Sequence, residues 1–134
     1  VSADHTVCRH VVPVSGLARA RASMSKQEIC GLASRFDLSE VPIEDADRSN
    51  ELTTYVRVID LALSESDEVE NVRPMMTISA DDTPIEALIR MHSGQESMAR
   101  VIDGEGQTVG ILYASRLRRQ LLQGDLEKPK SPSA

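Results

Sequence analysis

Aromatic residues are nearly absent: no Trp, one Phe (Phe36) and two Tyr (Tyr55 and Tyr113) in 134 residues. The core must therefore be aliphatic, and recognition of single-stranded nucleic acid by stacking bases on aromatic rings is disfavoured. Cysteine is as scarce. Cys8 and Cys30 make neither a disulfide framework nor a metal-binding quartet, so a reducing compartment is the natural expectation. Positive charge is in deficit, with 15 Lys and Arg against 21 Asp and Glu and a net charge of −6. That balance opposes the basic footprint a nucleic-acid partner would need. The one local basic run, Arg116, Arg118 and Arg119, reads as a solvated helix face. No apolar run approaches the ~20 residues that cross a bilayer, and no signal peptide is visible. The chain opens on Val1 rather than Met, as an excised fragment would.

What is present is a repeat. Ser25-Lys26-Gln27-Glu28 is a capping box, in which a hydroxyl and a carboxylate satisfy orphan backbone N–H groups at a helix start. Apolar Ile29, Cys30, Leu32, Ala33 and Phe36 follow at helical spacing. Thr83-Pro84-Ile85-Glu86 is a second box, 58 residues on, with Pro at the first helical position and an apolar face of Ile85, Leu88, Ile89 and Met91. The match continues beyond the boxes. Val41-Pro42-Ile43 falls on Ala99-Arg100-Val101, each a short strand, and each strand meets a polar turn, 44–50 and 103–106. The Asp103-Gly104 pair signals a hairpin. Strand-like runs 52–58 and 108–113 then lead into helices 59–63 and 114–122. Upstream of the boxes, 17–22 and 75–79 are further extended candidates.

Each half thus reads β-α-β-β-α, an α+β unit of 55–60 residues found twice. A unit this small cannot bury its sheet alone, so the halves are expected to pack as a pseudo-two-fold pair. The expected boundaries are 7–68 for the first repeat and 69–123 for the second. Residues 1–10 and the Pro/Ser/Lys-rich 124–134 are expected to be mobile, the latter as a disordered tail.

This layout resembles the CBS-domain pair, or Bateman module, over residues 7–123. "MMTISADDTPIEALIRMHSGQESMARVIDGEGQTVGILYASRLRRQLL" is similar to a CBS repeat nearly end to end, and 11–63 is a more divergent copy. "VVPV" and "TTYVRVIDLALSESDE" look most like the pairs of haemolysin-C-like and cyclin-M-like magnesium/cobalt transport proteins. The resemblance implies a non-catalytic regulatory module on the cytoplasmic side of a membrane protein, following an N-terminal membrane domain of the same parent chain. It also implies a homodimer formed through the CBS helices, and a possible AMP, ADP or ATP ligand rather than a tightly bound cofactor.

The family's nucleotide motif runs Gly, two apolar residues, Ser or Thr, two more residues, then Asp. In the first half it falls on Thr54 to Asp60, which keeps the ribose-binding carboxylate at Asp60 and puts Arg57 where the hydroxyl belongs, as a phosphate-facing charge. The plainer reading of Asp60 is a first-turn acid favoured by the helix dipole. In the second half the motif falls on Gly110 to Arg116, and Arg116 has no acceptor for a ribose hydroxyl. The resemblance places the walls of an adenine slot at Val14 and Leu17 and at Val41 and Pro42; each reads equally as core. His5, His10 and His92 show no metal-ligand spacing, no nucleophile stands beside an activating base, and neither a metal site nor an enzyme is expected. The alternative left open is a structural dimerisation module with no nucleotide ligand.

Overall fold

The computed structural model describes residues 6–47 and 51–127. The chain divides into two compact units: one takes the residues up to Val11 together with those from Thr77 onward, and the other is Val12–Met76. Residues 7–11, expected with the first repeat, are therefore grouped with the second.

In the Val12–Met76 unit, a short strand β1 (Val12–Pro13) and a 3-10 turn (Val14–Gly16) lead to helix α1 (Lys26–Phe36). Strands β2 (Glu40–Glu44) and β3 (Leu52–Arg57), helix α2 (Val58–Leu63) and strand β4 (Arg73–Pro74) follow. The sheet order is β2-β3-β4, both pairings antiparallel. The capping box forms as expected: the Ser25 hydroxyl accepts from Glu28 N at 3.1 Å and Ser25 N donates to Glu28 Oε1 at 2.9 Å. Helix α1 buries Ile29 and Ala33, one turn apart, against Val41, Ile43, Val56 and Leu61, with Ala20 in the same cluster. Phe36 is 48% exposed, with the Arg35 guanidinium 5.4 Å from its ring centre, so the helix closes its apolar face at Ala33. Cys30 is half-buried against the cluster.

The extended segment expected at 17–22 is a single parallel bridge, Ala20 to Ile43. Ala20 N donates to the Pro42 carbonyl (2.9 Å) and Glu44 N to the Ala20 carbonyl (2.8 Å). Next to the bridge, Arg19 donates through Nε to the Leu17 carbonyl at 3.3 Å and through Nη2 to the Val14 carbonyl.

The other unit holds β5 (Met76–Ser79, whose first residue belongs to the Val12–Met76 unit), α3 (Pro84–Ser93), β6 (Met98–Ile102), β7 (Thr108–Tyr113) and α4 (Ala114–Glu127). Strand β6 lies between β7 and β5. Apart from Thr6, the buried side chains of this unit are aliphatic or methionine, including Ile78, Met91, Met98, Ile111, Leu112 and Leu117. Met75 and Met98 are buried, while Met76 is only half-buried. Helix α3 buries Ala87 and Met91 and leaves Ile85 and Ile89 more than half exposed, so its apolar face is wider than the face it buries. Helix α4 runs to Glu127, so residues 124–127 of the expected tail are helical; 128–134 lie outside the described residues.

The repeat extends to single hydrogen bonds. Glu40↔Arg57 to Ile43↔Thr54 matches Met98↔Tyr113 to Val101↔Gly110, and the register slips at the same step, Ile43/Glu44 and Val101/Ile102. Helix α1 ends with Asp37 at φ 56° and α3 with Gln95 at φ 56°, each followed by a return bond of 2.8 Å, Leu38 N to the Ala33 carbonyl and Glu96 N to the Met91 carbonyl. The β6–β7 turn is not a two-residue Asp-Gly hairpin. The Asp103 carboxylate accepts from Glu105 N and Gln107 N, and Gly106 takes the left-handed conformation (φ 80°) of a turn that closes with a bulge.

Both capping boxes hold Glu28 and Glu86 below the ordinary carboxylate range through bonds to the cap residue's backbone and hydroxyl. Their contribution is present at neutral pH and fades as pH falls through those lowered values. Ser25→Ala and Thr83→Ala are each expected to cost about 1 kcal/mol in urea unfolding at pH 7. Equal stability to the parent would show that the boxes do not hold in solution.

Candidate functional site

Strand β3 passes into α2 without a loop. Arg57 is the residue before the helix (φ −95°, ψ 133°) with no side-chain cap bond, and Val58 N donates to the Ser39 carbonyl at 2.9 Å, tying the junction to the start of β2. Asp60 is the one acid in the first turn, half-buried, where exposed N–H groups favour negative charge. It stands at the edge of an open groove of about 410 Å³ shared with Leu63, Ser64, Glu65, Ser66, Glu70 and Asn71. With Glu65 and Glu70 beside Asp60 the groove carries three carboxylates, which repel an anion, and Arg57 does not line it.

Arg57 has a neighbour that sequence reading passed over. Glu40 lies directly opposite it across the β2–β3 ladder. Burial pushes the Glu40 carboxyl above its ordinary value, and the Arg57 charge pulls it back only in part. The signal was available in the sequence: an acid directly before Val41-Pro42-Ile43, a buried strand.

Val41 and Pro42 face opposite sides of strand β2, as neighbouring strand residues do. Val41 points into the helix-side cluster with Ile29 and Val56 and is fully buried, while Pro42 is paired with Tyr55, itself fully buried. Leu17 closes the 3-10 turn, its N–H on the Val14 carbonyl at 3.2 Å. Arg19, which sequence reading did not single out, staples that turn and reaches Glu44 Oε2 at 3.7 Å. Val14, Leu17, Val41 and Pro42 line neither the Asp60 groove nor two further hollows, one of about 550 Å³ at the start of α1 and one of about 370 Å³ beside Ile43 and Thr54.

The second repeat builds the same junction with other side chains. Ala114 N donates to the Ser97 carbonyl at 2.9 Å, Tyr113 stands at the strand end, and the exposed Arg116 takes the place of Asp60. The described residues contain no group of three or more His, Cys, Asp or Glu able to hold a metal ion, and no helix among them is long and apolar enough to cross a membrane.

Two halves with one register, one bulge position and one strand–helix junction define a tandem-repeat α+β module, and the fold is that of a CBS domain pair. The solved structures it resembles include a haemolysin-like CBS-domain protein of Oenococcus oeni PSU, 16% identical, with a TM-score of 0.74 over 87% of this chain and 89% of that one. Another is the CBS domain of a bacterial CNNM/CorC-family Mg2+ transporter in complex with ATP, 16% identical, with a TM-score of 0.71 over 89% and 88%. A third is a CBS domain pair bound to 5′-methylthioadenosine and S-adenosyl-L-methionine, 21% identical, with a TM-score of 0.72 over 90% and 97%. No protein-family profile matches the sequence, and no curated protein aligns with it significantly.

Because the folded-state pKa of Glu40 is raised, its stabilising share is full below the unfolded value and is lost as pH rises through the raised one. Glu40→Gln should therefore raise the Tm at pH 7, with the gain disappearing by about pH 4, where the parent carboxyl is itself mostly neutral. A lower Tm at pH 7 would mean that the attraction to Arg57 outweighs the burial cost.

Proposed function

We propose that the chain is a regulatory, non-catalytic module that responds to an adenine nucleotide at the β3–α2 junction of its first repeat. The observation that carries this reading is Asp60, in the first turn of α2 at the edge of an open groove and three residues from Arg57. Asp60 would accept the ribose hydroxyls and Arg57 would face phosphate, with Glu40 as competitor for the guanidinium. The second repeat, with Arg116 at the matching position, would leave one nucleotide site per chain. Solved structures of like fold hold ATP or S-adenosyl-L-methionine, which supports an adenine-bearing ligand. Their transporter and haemolysin-like relatives favour a parent with an N-terminal membrane domain and the module on its cytoplasmic side. A ligand would regulate that parent only through its differential affinity for two arrangements of the module.

A second reading, a dimerisation module without nucleotide, is favoured by the helices. Ile59 and Leu63 on α2 are 59% and 74% exposed, and Ile85 and Ile89 on α3 are 55% and 59% exposed. Pairs one turn apart suit helix-mediated association of two copies.

Titration calorimetry with AMP, ADP and ATP separates the two. Nucleotide binding is expected, weakened at least about tenfold (~1.4 kcal/mol) by Asp60→Ala. Equal affinity in parent and variant would remove Asp60 from the site. No heat with any nucleotide, together with a ligand-independent dimer in sedimentation that Ile59→Glu/Leu63→Glu disperses, would leave the dimerisation reading.

A further inference from the structure

The polypeptide crosses the second-repeat unit before it builds the first. Residues 6–10 fall in the stretch 1–10 expected to be mobile, yet they are held at three places far away in sequence. Val7 N donates to the Asp82 carbonyl at 2.9 Å, in the turn that precedes α3. Cys8 Sγ approaches the Ala80 carbonyl at 3.5 Å, just past β5. His10 Nδ1 lies 2.6 Å from Gln120 Oε1 on α4.

The segment is also shaped for its seat. Thr6 caps a 3-10 turn (Val7–Arg9) by accepting from Cys8 N at 3.3 Å, and His10 N closes it on the Val7 carbonyl at 2.8 Å. The Val7 side chain is fully buried and Thr6 is 5% exposed, while Arg9, between the contacts, points to solvent. Ordering six residues costs backbone entropy, so the segment stays in place only where its contacts offset that cost. Here the buried Val7 and Thr6 side chains and these long-range bonds oppose that cost. A short segment held by bonds that lie outside the strand ladders can dock and release while the β6–β7 ladder stays folded.

We propose that residues 6–11 form a strap that clamps the turn before α3 to helix α4. A displacement of the chain that enters at Thr6 then acts on the second repeat, not on the first repeat that follows it in sequence. With the strap docked, the 79–83 turn and the face of α4 carrying Gln120 are held together; with it released, both loosen. The strap makes no use of Asp60 or Arg57, and it stands whether or not a nucleotide binds.

Hydrogen exchange read by mass spectrometry tests the strap on the intact chain, comparing the parent with Val7→Ala/His10→Ala. In the parent, the peptide covering 7–11 is expected to exchange at least about a hundredfold slower than an unstructured chain. In the variant that protection is lost, and exchange rises in peptides covering 78–83 and 114–123 while 26–43 is unchanged. Coil-like exchange at 7–11 in the parent overturns the proposal. So does an equal rise across 26–43, which would mark general destabilisation, and so does a change confined to 7–11, which would mark a passenger. If the double variant does not fold, His10→Ala alone, at a half-exposed position, carries the same comparison at smaller amplitude.

Discussion

The antiparallel ladder between the two long strands of each repeat fixes everything downstream of it. Its register sets which side chains face the helices, and a one-residue slip would send all of them to the other side. In the first repeat the register puts Val41, Ile43 and Val56 against Ile29, Ala33 and Leu61, and it puts Arg57 opposite Glu40. The shared slip at Ile43/Glu44 and Val101/Ile102 pins that register near the turn, and the bonds Val58 N to Ser39 and Ala114 N to Ser97 pin it at the other end. The site position is thus a consequence of the hairpin: wherever the second strand stops, the helix must begin, and its third residue is Asp60 or Arg116.

The two repeats therefore share a scaffold and differ in chemistry. A carboxylate only accepts hydrogen bonds and a guanidinium only donates them, so the same backbone position carries opposite charge in the two repeats. Divergence has also reached the edges of the sheets. The opening strand of the first repeat has shrunk to one bridge at Ala20, beside an arginine folded onto its own turn, while the second keeps β5 in full.

Helix exposure extends the same contrast. Ile59, Leu63, Ile85 and Ile89 satisfy helical periodicity as well as the buried Ile29, Ala33, Ala87 and Met91 do, yet they face out. Periodicity reports that a helix has an apolar side. It does not report how much of that side its own unit covers.

Local chemistry was enough to write the repeat, the capping boxes at Ser25 and Thr83, the aliphatic core and the strand–helix junction carrying Asp60 into the sequence, because each depends on residues a few positions apart. The rest was decided by residues distant along the chain. Glu40 acquires its raised pKa only when β2 meets β3, Val41 and Pro42 are parted only by the pleat of a formed strand, and Val7 is ordered only by a turn 75 residues away. Burial and pairing of that kind are properties of the packed chain: a carboxylate, a proline or a valine has no environment until the sheet and the opposing turn have closed around it.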